Sequence, residues 1–319
     1  MLNNYIAGVD IGGTKISASI ANKERILCKL SLPVEKKGSN TAIPEQIIVM
    51  LEQLCEYLNI NYKELNNIGI CSCGPFLKTT GEIELVSPNL CGHHNQLDLG
   101  NDWKTIPLER VLKKHYEHIV IENDAVAGML AERQFGSLKG ENNCIYATWS
   151  TGLGFGICLD GHPLRGKNGN AGHLGHSFVR HSGQHICGCG NQGDAESAFS
   201  STGLSQTWGD TTLSLFHAAK QGDEVAIGII LSAINGYAEL LYNIIVALDI
   251  KKIAIGGSVF SNNKEFIFPI LEDFLFNNQQ RQGMKIILEG VEIIPASLGD
   301  NVADFGALIL VMPDEWLNF

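Results

Sequence analysis

Three glycine turns, each placed directly after a short apolar run, restrict what this chain can fold into more than any other feature of its sequence. They are Asp10-Ile11-Gly12-Gly13-Thr14-Lys15, Ser150-Thr151-Gly152-Leu153-Gly154-Phe155-Gly156 and Gly256-Gly257-Ser258. A phosphate tail needs backbone N–H groups at close range, and glycine permits both the approach and the positive φ angles that turn successive amides inward. In the first turn Thr14 offers a hydroxyl donor and Lys15 offsets negative charge. Asp10 stands at a strand end, where it can hold a magnesium ion or its waters. One such turn reads as an ordinary hairpin; three favour a nucleotide. The pattern is not a Walker A motif, which places lysine and then Ser or Thr after its glycines. Nor is it a dinucleotide fingerprint, because Gly12-Gly13 leads into a strand instead of a helix. At this point a generic α/β enzyme whose glycines are only turns stays open.

The pattern around these turns predicts the elements that carry them. Tyr5 to Asp10 reads as a buried strand, the alternation in Lys15 to Ile20 as a second, and Leu27 to Leu32 as a third, antiparallel one. Pro44 suits an early helical position before Ile47, Ile48, Leu51, Leu54, Cys55 and Leu58 at helical spacing, which predicts a long amphipathic helix. Ile68 to Cys71 reads as a short strand ending in a loop at Gly74-Pro75. The turn-rich segment from Phe76 to Trp103 reads as a structured loop. A helix from about Pro107 to Tyr116, a strand Ile119 to Ile121 and a helix starting near Asn123 follow. Asn143 to Ser150 and Phe155 to Leu159 then repeat the opening pair of strands around the turn Thr151 to Gly154. A helical stripe from Ile227 to Leu248 precedes the strand Lys252 to Ile255. The architecture is therefore expected twice, α/β both times, with a compact hinge near Glu122.

The chain has 319 residues, enough for about two domains of roughly 150 each. Its 34 acidic and 23 basic side chains leave a net charge of -11, the wrong sign for a protein that binds by neutralising nucleic-acid phosphates. The sequence reads as having no apolar run near the roughly 20 residues that cross a bilayer. With no signal-peptide pattern in Met1-Leu2-Asn3-Asn4-Tyr5, the expected location is the cytoplasm. Nine cysteines, an odd and scattered set, fit reduced thiols better than a disulfide framework. Cys187-Gly188-Cys189, beside several histidines, stands apart from the rest.

Taken in order, these pieces resemble the ROK family (repressor, open reading frame, kinase) of sugar kinases, within the actin-like and hexokinase-like ATPases. The resemblance runs through nearly the whole chain. Besides the three glycine turns it rests on Ser87-Pro88-Asn89-Leu90, Glu122-Asn123-Asp124-Ala125, Gly172-His173-Leu174-Gly175-His176, Cys187-Gly188-Cys189-Gly190 and Ala296-Ser297-Leu298-Gly299-Asp300-Asn301. It implies an α/β fold of two ribonuclease-H-like domains around a central cleft, residues 1–121 and 122–302. A C-terminal helix in 303–319 is expected to return to the first domain. It also implies ATP on Asp10, Gly12, Gly13, Thr14, Lys15, Thr151, Gly152, Gly154, Gly256 and Gly257, with Mg²⁺, and a homodimer.

Moving a γ-phosphoryl group to a sugar hydroxyl requires in-line placement, charge neutralisation and a receiver for the hydroxyl proton. Asp124 is the expected base, since it follows a strand at the start of a helix, where a carboxylate can face a bound sugar. The structural role open to the same residue is N-cap of the helix that follows. Planar polar side chains recognise sugars through paired hydrogen bonds, which brings in Asn89, Asn123, His173 and Glu196. The resemblance gives the ring hydroxyls to Asn123 and Glu196. His173 departs from the family, most of whose members carry glutamate there. Imidazole has one acceptor at most, so sugar preference should shift. Histidine at this place resembles the bacterial N-acetylmannosamine kinases, while glucose stays open.

The family's structural zinc site uses one histidine and three cysteines. Here His176, Cys187 and Cys189 match three ligands, Asp194 stands in place of the fourth, and His181 and His185 are close enough in sequence to substitute. Such a zinc would clamp the loop that positions His173 and Glu196. The activity implied is an ATP-dependent hexose 6-phosphotransferase, partnered by a sugar and ATP, with no nucleic acid and no membrane. The alternative is a catalytically inactive sugar-binding or sugar-responsive regulatory protein of the same family. Family repressors carry an N-terminal helix-turn-helix domain, for which a phosphate motif beginning at Asp10 is expected to leave no room.

Overall fold

Strand β1 (Ile6–Ile11) is apolar on both faces because both are covered. Ala7, Val9 and Ile11 pack into a cluster with Ile43, Ile47, Met50 and Leu51 of the Ala42–Leu58 helix. Ile6 packs with Leu308 and Val311 near the C-terminus. The structure, a computed structural model, describes residues 5–95, 98–180, 182–277 and 284–317. From β1 the sheet grows both ways. β2 (Lys15–Ala21) and β3 (Ile26–Pro33) add antiparallel on one side; β4 (Asn67–Ser72) and then, past the hairpin β5 (Phe76–Thr79) and β6 (Glu82–Leu85), β7 (His118–Asn123) add parallel on the other. The order is β3-β2-β1-β4-β7.

The helix Val302–Ile309 lies against β1 and β4, and two strand glycines allow it to approach. A Cβ on Gly69 would sit 1.9 Å from the Ala307 carbonyl oxygen, and one on Gly8 would sit 3.0 Å from Leu308 Cγ. These elements form one compact unit, Met1–Gln134 with Arg165–Ala171 and Asp300–Phe319. Residues 122–134, assigned to the second domain by the sequence reading, pack in this unit.

The second unit, Phe135–Leu164 with Gly172–Gly299, repeats the plan. β8 (Cys144–Trp149), β9 (Leu153–Leu159) and β10 (His162–Pro163) are antiparallel neighbours, while β11 (Lys252–Gly256) and β12 (Glu292–Pro295) extend the sheet in parallel from β8. The order β10-β9-β8-β11-β12 matches the first sheet strand for strand. Its core is organised by the 25-residue helix Glu224–Leu248, whose Tyr237 stacks on Trp149 with centroids 4.3 Å apart. Gly236 admits the Phe199 ring, which a Cβ there would meet at 2.1 Å.

Three expectations need correction. The Glu224–Leu248 helix is long and apolar enough to cross a membrane, contrary to the reading that nothing approaches that length. Ser232, Asn235 and Asn243 break the visual run without offsetting its isoleucines and leucines. In the structure 56% of its most apolar window is buried among the unit's own elements, as in a core helix. The segment after Gly74-Pro75 is not only a loop. It begins with the hairpin β5–β6, which turns through Thr80 and Gly81, both at positive φ, and includes a short 3₁₀ turn at Gly92–His94. The helix expected from Pro107 to Tyr116 is regular only over Leu108–Leu112.

Candidate functional site

Parallel β1, β4 and β7 end at one edge of the first sheet, the place where ligands gather in open α/β sheets. Asp10 lies near the end of β1, directly across from Cys71 of β4, whose Sγ donates to Asp10 Oδ1 at 3.4 Å. Burial pushes the Asp10 carboxyl above its ordinary range and Asp304 adds to the rise, while the Cys71 bond, Lys15 and Lys29 oppose it. Lys29 Nζ is itself 2.6 Å from Asp304 Oδ2. The turn after β1 closes with Gly12 N donating to the Lys15 carbonyl at 3.0 Å, leaving Thr14 and Lys15 exposed. A Cβ on Gly13 would lie 3.2 Å from Asn89 Cβ. The fold thus brings Asn89 against the first glycine turn.

At the end of β7 two neighbouring residues divide two roles. Asn123, buried, caps the helix Asp124–Phe135 through Oδ1, which accepts from Ala125 N at 3.0 Å and Val126 N at 3.4 Å. The capping role open to Asp124 therefore falls to Asn123. Asp124 is the first helical residue, is exposed, and accepts from Ala125 N through Oδ1 at 2.8 Å. Its charge reaches the two thiols of the β4 end. Burial pushes Cys73 up to about 12, and Asp124 contributes to that rise as it does at Cys71.

In the second unit the turn between β8 and β9 is held by Glu196. Leu153 N donates to Glu196 Oε2 at 2.9 Å, and a Cβ on Gly152 would meet the same oxygen at 2.7 Å. Leu153 and Gly154 already belong to β9, so the turn is shorter than the sequence suggests. Thr151 is exposed, and its carbonyl accepts from Thr202 Oγ1 at 3.2 Å. Gly257 needs its φ of +87° as well as its missing side chain, since a Cβ there would lie 2.4 Å from the Trp149 carbonyl oxygen. Gly256 ends β11 and Gly257 caps the Ser258–Glu272 helix, so the second and third glycine turns meet at Trp149. His173 caps the 3₁₀ turn Leu174–His176, and a Cβ on Gly175 would lie 3.4 Å from Glu196 Cβ, which brings that turn against Glu196.

The same turn delivers His176 to a four-residue cluster with Cys187, Cys189 and Asp194, whose ligand atoms all lie within 4.8 Å of one another. His176 Nδ1 is 3.0 Å from Asp194 Oδ2, 3.5 Å from Cys189 Sγ and 3.7 Å from Cys187 Sγ, and Cys189 Sγ is 3.6 Å from Asp194 Oδ2. Bonds of about 2.0–2.3 Å in a tetrahedral zinc site put neighbouring ligand atoms about 3.3–3.8 Å apart. All but the shortest of these separations lie in that range, so the set fits zinc. Asp194 serves twice, because its Oδ1 accepts from Ser197 N at 2.8 Å and caps the helix Ala195–Phe199. Burial pushes both thiols up, and the hydrogen bond to Asp194 raises His176. A cation here would reverse that pressure on the thiols. His185 is engaged elsewhere, with Nε2 3.0 Å from Thr207 Oγ1, and His181 lies outside the described residues.

A family model described as ROK family matches residues 6–313. The chain belongs to the ROK family. Among curated ROK relatives it is 26% identical to a glucokinase of Halalkalibacterium halodurans, over 99% of this chain and 97% of that protein. It is 30% identical to an N-acetylmannosamine kinase of Haemophilus influenzae strain 86-028NP, over 79% of each. Among solved structures it is similar to a ROK family glucokinase from Streptomyces griseus in complex with glucose and AMPPNP. That likeness has a TM-score of 0.69 at 25% identity and covers 96% of this chain and 99% of the other. The mixed α/β architecture is that of the ROK sugar kinases.

Sequence reasoning misses several groups that the ROK fold places beside the expected residues. Cys71 on Asp10, Asp304 with Lys29, and Arg165 on Glu122 at 2.6 Å are pairs far apart in the chain. A signal for Glu122 is available, since a carboxylate closing an apolar strand requires a partner. Nothing local designates Arg165 as that partner.

Proposed function

We propose that this ROK protein is an ATP-dependent kinase that phosphorylates the 6-hydroxyl of a hexose, either glucose or an N-acylated hexosamine such as N-acetylmannosamine. The observation that carries the reading is the placement of Asp124. An exposed carboxylate opens a helix already capped by its neighbour Asn123, and its strand ends at the same sheet edge as Asp10 and the first glycine turn. The relatives' names support the reaction class.

In this reading Asp124 accepts the proton of the sugar hydroxyl as its oxygen attacks. Asn89, Asn123, His173 and Glu196 hold the sugar's hydroxyls. Thr14, Lys15, Thr151 and the backbone amides at Gly12, Gly13, Gly152, Gly154, Gly256 and Gly257 hold the phosphates and nucleotide. Asp10 holds Mg²⁺, which supplies charge neutralisation for the phosphoryl group. His176, Cys187, Cys189 and Asp194 hold zinc as a clamp on the loop behind His173 and Glu196. The two like-ordered sheets are read as two ribonuclease-H-like domains. A homodimer is the state the family resemblance implies, and the cytoplasm is the location the sequence pattern suggests.

The test is ADP release with ATP and a panel of glucose, mannose, fructose, N-acetylglucosamine and N-acetylmannosamine. Turnover with glucose or an N-acylated hexosamine, and transfer to the 6-oxygen by NMR, is the expected result. Sugar binding by calorimetry with no turnover on any member would replace the kinase with a sugar-responsive regulatory protein.

A further inference from the structure

The candidate base sits on a junction that is tied to a distant segment of the chain. Glu122 is the penultimate residue of β7, with its side chain only 5% exposed. A carboxylate so far from water is costly unless it is paired and hydrogen-bonded. Both of its oxygens are used. Oε2 accepts from Arg165 Nε at 2.6 Å, and Oε1 accepts from the backbone amide of Asn123 at 3.2 Å. Asn123 in turn caps the helix through the amides of Ala125 and Val126. A continuous series of bonds therefore runs from the Arg165 guanidinium, through Glu122, to the backbone on which Asn123 and Asp124 are mounted.

Arg165 opens the segment Arg165–Ala171, which belongs to the same unit as Glu122. This segment is closed on itself and held at its C-terminal end. Ala171 N donates to the Arg165 carbonyl at 3.1 Å. Asn170 grips the backbone of Phe76 twice, accepting from its amide at 2.7 Å and donating to its carbonyl at 2.8 Å. Arg165 thus approaches Glu122 from a firmly anchored strap. Its side chain is 48% exposed, so water weakens the pair's net contribution to stability. Removing it costs more than the pair's net worth, because a buried anion is then left unpaired directly beside the β7-to-helix junction.

We propose that Arg165 is a positioning residue, which by neutralising buried Glu122 fixes the β7-to-helix junction that presents Asn123 and Asp124. This rests on the kinase reading above, with Asp124 as base. It requires geometric tolerance of well under 1 Å at the base, where small displacements cost about 100-fold in rate.

The test compares wild type, Arg165→Met, Arg165→Lys, Glu122→Gln and the Arg165→Met/Glu122→Gln pair. Arg165→Met is expected to lower kcat about 10–100-fold with KM for ATP little changed, and to lower the melting temperature, because a buried carboxylate is left unpaired. Glu122→Gln in the same chain is expected to recover most of that loss, because the buried charge is gone while an oxygen still accepts from the Asn123 amide. Arg165→Lys is expected to fall between wild type and Arg165→Met. Amide hydrogen exchange over residues 122–128 supplies a readout that needs no turnover. Exchange at Ala125 and Val126 should rise at least about tenfold in Arg165→Met and return in the double variant. Wild-type kcat and wild-type exchange in Arg165→Met would overturn the proposal, as would a double variant no better than the single one. If wild type turns over no sugar, the kinase reading fails on its own, and the exchange data still decide whether Arg165 holds the junction.

Discussion

At the scale of single residues, the useful contrast is between Asn123 and Asp124, adjacent in sequence and different in work. Asn123 is buried and supplies the helix cap; Asp124 is exposed and does not. Asp124→Asn is therefore expected to keep the melting temperature and hold sugar affinity within a few-fold by calorimetry, while kcat falls by about 10²–10⁴. Asn123→Ala should do the opposite in the melt, losing about 1 kcal/mol with the cap. Wild-type turnover in Asp124→Asn would remove that residue from its role. The placement of Asp10, Asn123 and Asp124 is legible in the sequence because each lies at or next to a strand end before a turn or helix, and strand ends are where polar groups can leave the apolar pattern. The division of capping is not legible, since Asn and Asp are nearly equal caps and only the folded junction chooses between them.

At the scale of elements, the metal loop and the sheet edge each yield an expectation. Asp194 is both a ligand and the cap of Ala195–Phe199, and asparagine can still cap. Asp194→Asn is thus expected to lose zinc, measured by metal analysis of fresh protein, with a smaller fall in melting temperature than Asp194→Ala, which forfeits the cap too. Wild type should carry about one zinc per chain. Retention of wild-type zinc in Asp194→Asn would discount the fourth ligand. Before β8, Glu141 receives Lys251 at 3.0 Å and Lys252 at 3.3 Å. The Lys251 bond, joined by Lys252, holds its carboxyl below its ordinary value of 4.5. A carboxyl depressed by folding stabilises the folded chain above that ordinary value, and its contribution is lost as pH falls through the lower folded value. Because Lys251, the stronger partner, reaches into solvent, the effect should be only about 0.5 kcal/mol. Unfolding free energies of wild type and Glu141→Gln from denaturant titrations should differ by this amount at pH 7 and converge as pH falls below the ordinary carboxyl value. The strands of both five-stranded sheets are legible from alternation and bounding glycines, except β10 and β12, which are only two and four residues long. The hairpin β5–β6 is hidden because its turn uses Thr80 at positive φ, a conformation that threonine does not advertise.

At the scale of the whole molecule, the repetition of one strand order in two units is foreshadowed by the recurring glycine turns, whereas the assignment of segments to units is not. Arg165–Ala171 and the last helix join the first unit through contacts across more than a hundred residues in the latter case, which no local pattern encodes. A chain ending at Gly299 is expected to leave residues 5–134 open to limited proteolysis while residues 172–299 resist it. Equal resistance in both would show that the first sheet does not need the Val302–Ile309 helix. The same geometry has a consequence for biosynthesis. The strands of the first sheet leave the ribosome well before the Val302–Ile309 helix that closes their glycine-lined face, so that sheet waits unfinished until the helix has emerged. The second unit can mature before it, and a chaperone attending this chain would be needed longest by the first unit.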